Sequence, residues 1–154
     1  AEFVNKEGLF RAVLDRYISR FAAKHEALLF DEEKSVDTAL RDYFTAVATC
    51  FTSKETPAGC FMINTSAALA AASTDIANTV KSRHAMQEQT LTQFLQQRQL
   101  RGELPADGDV RQLAQFLNCI LQGMSISARE GADFTKIMQI AETTLRLWPR
   151  VLQR

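Results

Sequence analysis

Two histidines are the side chains in this sequence with the most obvious use in catalysis. His25 and His84 each have polar neighbours, and we expect both at the surface of helices. The sequence contains no Glu-x-x-His or His-Glu-x-x-His motif, no glycine-rich phosphate loop and no Gly-x-Ser-x-Gly elbow. Catalysis needs a nucleophile, a base and an orienting group within reach of one another. The sequence therefore predicts no enzyme, no metal site and no cofactor.

Three cysteines could supply redox chemistry. Cys50, Cys60 and Cys119 form an odd, scattered set without a Cys-x-x-Cys pair or zinc-ligand spacing. Unpaired cysteines are often simply buried, so we expect buried thiols in a reducing compartment. A thiol sensor, which needs an exposed thiol with a lowered pKa, is an alternative.

Charge and hydropathy narrow the class of protein. The 154 residues suit one compact domain, and 18 basic residues balance 18 acidic ones. DNA binding through phosphate contacts goes with a basic surplus, so this chain is not expected to bind DNA by itself. There is no apolar run near the roughly 18 residues that a membrane span needs, and no export signal. We expect a cytoplasmic protein.

Apolar residues recur at helical spacing along the whole chain, and no convincing strand pattern interrupts them. The pattern predicts an all-α protein of about six helices. The first runs from an N-cap at Asn5 to the acidic cluster at 31–33, and Ser35 caps the second. A break at 57–59 precedes a short apolar helix from Cys60.

The second half of the chain has clear helix boundaries. A long polar helix starts at Ser73 or Thr74 and ends near Gly102, where glycine suits a left-handed residue. Asp107 or Asp109 starts the next helix, which Gly131 closes. Asp133 caps the last helix, and Pro149 discourages its continuation.

The last two helices carry apolar residues over more than one face, which predicts cover from more than one side. Gly123 lies in the middle of a helix, where glycine costs about 1 kcal/mol relative to alanine. Close approach of another helix would explain that cost. The neighbouring helix could belong to a second subunit or to the same chain.

Several segments resemble one family in order along the chain. Residues 1–10 (AEFVNKEGLF) are similar to the junction in TetR-family transcriptional regulators where the recognition helix ends and a connecting helix begins, with matches at Phe3, Asn5, Lys6, Glu7 and Leu9. Val4 stands where glycine is frequent. The segments PAGCFMIN (57–64), QRQLRGEL (97–104), LQGM (121–124) and REGA (129–132) resemble further segments of one large subgroup.

The resemblance implies an architecture and a function. Residues 1–4 would be a remnant of the DNA-binding head, 5–30 a connecting helix, and 31–154 a ligand-binding and dimerisation domain. The family places roughly 45 residues of helix-turn-helix before the junction, comparable to other small three-helix heads. The implied function is a ligand-responsive transcriptional repressor, in which an effector changes the spacing of two heads. A helical adaptor without DNA binding is the rival interpretation.

The resemblance also implies partners and site residues. The last two helices would form a four-helix bundle with their copies in a homodimer, through Phe116, Leu117, Ile120, Gly123, Met124, Ser127, Ile137, Ile140, Ala141, Thr144 and Trp148. Operator DNA would bind through the head, with Lys6 at a phosphate. An unknown small effector would lie between the second helix and the long central helices, against Tyr43, Phe44, Phe61, Met62, Asn64, Phe94, Arg98, Phe116, Cys119 and Gln122.

Overall fold

The computed structural model describes residues 8–9, 12–13, 16, 20, 22–54 and 74–152. These residues form five helices and no strand, which confirms the all-α prediction: α1 (Ala23–Leu29), α2 (Val36–Phe51), α3 (Thr74–Leu100), α4 (Val110–Arg129) and α5 (Phe134–Val151). None of these helices is long and apolar enough to cross a membrane. The short helix expected from Cys60 lies outside the described residues.

Side-chain caps begin three of the helices where the sequence predicts them. Ser35, Asp109 and Asp133 each accept a hydrogen bond from the backbone amide three residues later. Of the two candidates for the start of α4, the cap is therefore Asp109 and not Asp107. Each cap satisfies an amide that the first helical turn leaves unpaired, and this contributes about 1 kcal/mol.

Glycines in the left-handed region end two helices. Gly102 has a φ of 81° and Gly131 a φ of 101°. After α3, the amide of Glu103 donates to the carbonyl of Arg98 and that of Gly102 to the carbonyl of Gln99. This is the Schellman arrangement, and glycine adopts the required conformation without steric cost.

Pro149 lies inside α5, close to its C-terminal end. The helix continues to Val151, and Leu152 after it is buried. A proline near the end of a helix removes a single hydrogen bond to the preceding turn, and burial of the following apolar residues can offset that loss.

The helices pack around one apolar core. In the described part of the chain, α3 lies along α4, α2 packs against α1 and α5, and α4 packs against α5. Arg41 of α2 and Glu142 of α5 form an ion pair at the surface of their contact. The largest fully buried side chains come from α1 to α4: Leu29, Leu40, Phe44, Leu91, Phe94, Leu95, Leu113, Leu117, Leu121 and Met124.

Candidate functional site

A small polar group interrupts the apolar core between α2, α3 and α4. Tyr43 on α2 is buried, and its hydroxyl accepts a hydrogen bond from Gln87 Nε2 on α3 at 3.4 Å. One helical turn before Gln87, His84 is half-buried on the same face of α3. Asn118 reaches this face from α4, where it is only 3% exposed.

Two atoms of this group have no hydrogen-bond partner in the part of the chain that the structure describes. Asn118 Nδ2 donates to the backbone carbonyl of His84 at 3.3 Å, but Asn118 Oδ1 is buried and unpaired. His84 Nε2 is also buried and unpaired. A buried polar atom without a partner costs about 1–3 kcal/mol. Each atom is therefore a place where a water or a bound molecule would form a hydrogen bond.

His84 is not the surface residue that the sequence suggested. Burial lowers the pKa of its imidazole below the ordinary 6.5, so the ring is neutral at pH 7. A neutral imidazole has one donor and one acceptor nitrogen. The spacing along α3 could have predicted this burial. His84 lies seven residues before the buried Leu91 and fourteen before the buried Arg98, so the three residues share one helical face.

His25 on α1 is also partly covered. Burial lowers the pKa of His25, and the charge of Lys24 lowers it further. On the next residue, burial raises the pKa of the Glu26 carboxyl. Both shifts disfavour the charged form, as expected for groups that have lost part of their contact with water.

The expected ligand residues other than Arg98 fall into three groups. Tyr43, Phe44 and Phe94 lie in the core, each no more than 3% exposed, and the rings of Tyr43 and Phe44 meet edge to face at 6.1 Å. Phe116 and Gln122 are partly exposed on α4, and Cys119 is exposed there. The structure does not bring Cys119 to the core aromatic residues. Phe61, Met62 and Asn64 lie outside the described residues, as do Lys6 and Cys60.

Arg98 occupies the corner between α1 and α2. Its Nη2 donates to the carbonyls of Asp31 at 2.8 Å and Leu29 at 3.5 Å, and its Nη1 donates to the carbonyl of Lys34. Its Nη1 also pairs with Glu103 Oε2 at 3.1 Å. The guanidinium fork thus satisfies carbonyls at the end of α1 and in the turn that follows it.

Glu103 extends this contact to the start of α2. Its Oε1 accepts a hydrogen bond from the amide of Val36 at 3.2 Å, and a carboxylate is favourable at a helix N-terminus. We call Arg98 and Glu103 together the corner clamp. Because the clamp joins the end of α1, the start of α2 and the end of α3, it fixes their relative positions.

Aromatic packing supports the corner clamp. The Arg98 guanidinium carbon lies 5.4 Å from the centre of the Phe94 ring, and Phe30 meets that ring edge to face at 6.3 Å. An open groove of about 200 Å³ borders the clamp, lined by Leu29, Phe30, Glu32, Gln97, Arg98, Leu100 and Arg101. Leu100 is 89% exposed at its edge.

The expected dimer residues divide into two sets. Leu117, Met124, Ile137, Ala141, Thr144 and Trp148 are buried within the single chain. The other set reaches the surface, and Gly123 is fully open: an added Cβ there would meet no described atom within 4 Å. We call this set, with Leu147, the outer stripe: Phe116, Ile120, Gly123, Ser127, Ile140 and Leu147.

Leu147 was not among the residues that the sequence predicted at the dimer contact. It is 45% exposed and lies seven residues after Ile140, on the same face of α5. The sequence pattern spread the apolar positions of α5 over more than one face, without showing which face is covered within the chain. The structure separates them into a buried stripe at Ile137, Ala141 and Trp148 and an outer one, in which Ile140 is partly buried and Leu147 is exposed.

The cysteines differ in environment. Cys50 is buried, as expected, but Cys119 is exposed, so the expectation of a buried thiol is wrong there. On α4, Cys119 points to the side opposite Leu117 and Leu121 of the core.

Comparisons with known proteins point to one family of transcriptional regulators. Residues 37–143 match the family model described as the tetracyclin repressor-like C-terminal domain. The HTH-type transcriptional repressor ComR of Escherichia coli (strain K12) is 73% identical over 153 residues, which cover 99% of this chain and 73% of that protein.

Solved structures agree with the sequence match. A cysteine variant of the TetR family transcriptional regulator CifR, bound to 26-base-pair operator DNA, superimposes with a TM-score of 0.85 and 26% identity over 96% of this chain and 76% of that one. A second cysteine variant of the same regulator, also bound to operator DNA, superimposes with a TM-score of 0.85. The two sequences are 25% identical, and the match covers 96% of this chain and 76% of that one.

Proposed function

The chain belongs to the TetR family of transcriptional regulators and is not an enzyme, and from this we propose that it is the effector-binding and dimerisation body of a ligand-responsive repressor. One observation carries the proposal: a protein 73% identical over nearly the whole chain is a transcriptional repressor. Residues 1–4 would be the end of the DNA-binding head, 5–30 the connecting helix, and 31–154 the body. α1 lies within the proposed connecting helix.

We propose that the outer stripe is the subunit contact of a homodimer. Two observations support this choice. Phe116 and Ile120 on α4 and Ile140 on α5 are only partly buried, Leu147 on α5 is exposed, and Gly123 leaves room for a partner helix at the centre of the α4 part. A twofold axis would let this one patch serve both subunits. The six expected dimer residues that are buried within the single chain would pack beneath this patch and support it.

The effector site is proposed between α2, α3 and α4. Tyr43, Phe44, Phe94, Phe116 and Gln122 are the described candidates, and Phe61, Met62 and Asn64 complete the proposed set. Arg98 and Cys119 are left out of it, because Arg98 is held by backbone carbonyls and Glu103, and Cys119 is exposed. Buried aromatic residues with a few polar groups are the usual composition of a small-molecule pocket. The polar group at Tyr43 and Gln87 is the feature of the core that supports this location.

Transmission to DNA would use the corner clamp. A ligand shifts an equilibrium only if it binds one state better than the other. Since Arg98 on α3 holds the end of α1, a movement of α3 would move the connecting helix. That movement would change the separation of two heads, which would contact operator DNA with Lys6 at a phosphate. The CifR variants, bound to operator DNA, support DNA as a partner.

Native mass spectrometry of the protein purified from its host tests the proposal. We expect a dimer, with each chain retaining a small molecule or able to take one up. Gel-shift measurements on the longer protein with its head should show operator binding that the bound molecule weakens. A monomer that neither binds a ligand nor, with its head, binds DNA would contradict the proposal.

The exposure of Cys119 favours a second possibility, a thiol-sensing regulator. A solvent-accessible thiol can be oxidised where a buried one cannot. Alkylation with and without prior peroxide, followed by the operator gel shift, tests it. Peroxide that protects Cys119 and changes DNA affinity would support this alternative, and protection without an effect on DNA affinity would exclude it.

A further inference from the structure

We propose that α4 lies on the twofold axis of the dimer and crosses its own copy at Gly123, so that Cys119 and Ile126 are covered by the partner subunit. The proposal rests on the homodimer proposed above. It goes beyond the outer stripe, because it states which helix is central, which residue lies at the crossing and which two further side chains are buried there.

The middle of α4 carries no charged side chain. Residues 112–128 contain no Asp, Glu, Lys or Arg, and the two charged residues of the helix, Arg111 and Arg129, stand near its ends. Charged residues make up 23% of the chain, and α2, α3 and α5 each carry at least three, so this uncharged stretch is exceptional. Depletion of charge is typical of the centre of a protein–protein contact.

Part of the uncharged stretch faces away from the core of its own chain. Cys119 is exposed there, and Ile126 is 44% exposed, although isoleucine is among the residues most often buried. Phe116, Ile120 and Ser127 on the same side are partly buried. The described residues therefore leave a face of α4 open that is largely apolar and has no charge.

Gly123 is the centre of this open face. Counted outward from Gly123, Ile120 and Ile126 lie three residues away on either side. Cys119 and Ser127 lie four residues away, so all four share the face of Gly123. A Cβ added at Gly123 would meet no described atom within 4 Å. Because the distance between packed helices depends on the side chains at their contact, glycine permits the closest approach of a partner helix here.

A second copy of α4 suits this face. In a twofold contact, a side chain near the axis meets either its own copy or the residue equally far beyond the crossing. If the two helices run in opposite directions, Ile120 packs against the partner's Ile126. If they run in the same direction, each isoleucine packs near its own copy. Neither arrangement brings like charges together, which is what association of identical surfaces requires.

The helix α5 is less suited to the axis. Its outer positions Ile140 and Leu147 are bounded on the same face by Lys136 and Arg150, which are both exposed. A crossing between Ile140 and Leu147 would place Lys136 near either the partner's Lys136 or the partner's Arg150. Both pairs are positive, so either direction is opposed by repulsion. We therefore expect α5 beside the axis, at the flank of the contact.

Alkylation of Cys119 measures whether the partner subunit covers it. The protein is treated with N-ethylmaleimide at a concentration where sedimentation shows a dimer, and mass spectrometry follows modification of the peptide that contains Cys119. The thiol should react at least about ten-fold more slowly in the wild-type dimer than in monomeric Gly123→Arg, since a covered thiol reacts only in dissociated chains. Protection would also restrict the thiol-sensing alternative to dissociated chains.

Gln115→Arg is the matched control. Gln115 and Gly123 each lie four residues from Cys119, in opposite directions, so the two variants bring the same positive charge equally close to the thiol. Gln115 is exposed and lies outside the outer stripe, so this variant should remain dimeric with Cys119 protected. Fast alkylation in a dimer of Gln115→Arg would assign the effect to charge and overturn the proposal.

Cross-linking locates the crossing independently. In a Cys119→Ser background, Gly123→Cys should form a covalent dimer on oxidation with diamide, because a residue on the axis faces its own copy. Leu147→Cys in the same background should not, because α5 lies beside the axis. Non-reducing gel electrophoresis measures both, with Cys119→Ser alone as the control for the remaining cysteines.

Three results would overturn the proposal while leaving a homodimer in place. They are equal alkylation rates of Cys119 in the wild-type dimer and the Gly123→Arg monomer, a Gly123→Arg variant that stays dimeric, and a cross-link at Leu147→Cys without one at Gly123→Cys. A wild-type protein that sediments as a monomer counts instead against the proposed function.

Discussion

The Nη2 atom of Arg98 donates to the carbonyl of Asp31 at 2.8 Å, across 67 residues of sequence. Through this bond and its neighbours, one side chain of α3 replaces the missing hydrogen-bond donors at the end of α1. The side chain is 3% exposed, so water cannot substitute for it. The corner between α1 and α2 therefore depends on Arg98 for its shape.

Arg98→Met should destabilise the protein strongly. The substitution leaves three backbone carbonyls and the Glu103 carboxylate without their donor, and breaking a buried pair in this way costs about 3–5 kcal/mol. For a chain of this length, the melting temperature should fall by about 6–20 °C. Thermal unfolding followed by circular dichroism measures the change.

Arg101→Met is the matched control. Arg101 is exposed, donates to the carbonyl of Glu32 and lies 3.8 Å from Glu103. Surface contacts of this kind contribute about 0–1 kcal/mol. Equal losses of stability in the two variants would refute the assignment of the clamp to Arg98.

Gly123→Arg should separate the proposed dimer into monomers. A charged side chain would enter an apolar contact without a partner, and the dissociation constant should rise about 100-fold or more. The monomer itself should fold normally, because a Cβ at Gly123 meets no described atom within 4 Å and arginine favours a helix more than glycine does. Sedimentation velocity and circular dichroism measure the two effects.

Gln115→Arg places the same charge elsewhere on α4. Gln115 is exposed and lies outside the outer stripe, so this variant should stay dimeric. A dimer that survives Gly123→Arg as well would place the subunit contact on another surface.

Stability should fall in mild acid through His84. Its folded pKa is lowered by burial below the ordinary 6.5, so the unfolded chain binds the proton first as the pH falls. The contribution is fully present above pH 6.5 and is lost as the pH drops from there to the folded pKa. Urea denaturation of wild type and His84→Gln across this range measures it.

The comparison with His84→Gln is needed because nearby groups also titrate. His25 shifts in the same direction, whereas the raised pKa of Glu26 acts with the opposite sign near its ordinary 4.5. The contributions of His25 and Glu26 are the same in both proteins, so they cancel when the two free energies of unfolding are subtracted. A difference that does not change with pH would show that His84 is equally hydrated in both states.

Asp109→Ala should weaken the start of α4. The Asp109 carboxylate accepts from the amide of Gln112 at 3.0 Å, and loss of such a cap costs about 1 kcal/mol, or about 2–4 °C in Tm. Asp107→Ala, two residues earlier and exposed, should leave the Tm unchanged. Equal effects would show that the loss reflects general charge and not the cap.

Local sequence signals predicted the helix ends well. Ser35, Asp109 and Asp133 cap helices, and Gly102 and Gly131 adopt positive φ, because caps and left-handed residues depend on atoms within a few residues. Helical periodicity likewise predicted the core of α4. The physics that fixes these features is short in range, so it can be seen in a sequence window.

Long-range contacts could not be predicted in this way. Arg98 was expected beside a ligand, and the structure places it against carbonyls of residues 29 to 34, which no sequence window contains. His84 looked like a surface residue because its neighbours in sequence are polar, whereas its neighbours in space come from α4. The division of α5 into inner and outer stripes also depends on which helix lies on each side.

The corner clamp has a consequence for the order of events during synthesis. Its hydrogen bonds close loops of 64 to 69 residues, so the carbonyls at the end of α1 leave the ribosome long before their donor exists. At a translation rate of roughly 5–20 residues per second, about 3 to 14 seconds pass between synthesis of these carbonyls and synthesis of Arg98. During that interval water must hydrate the corner, and α1 and α2 acquire their fixed angle only after translation has passed Glu103.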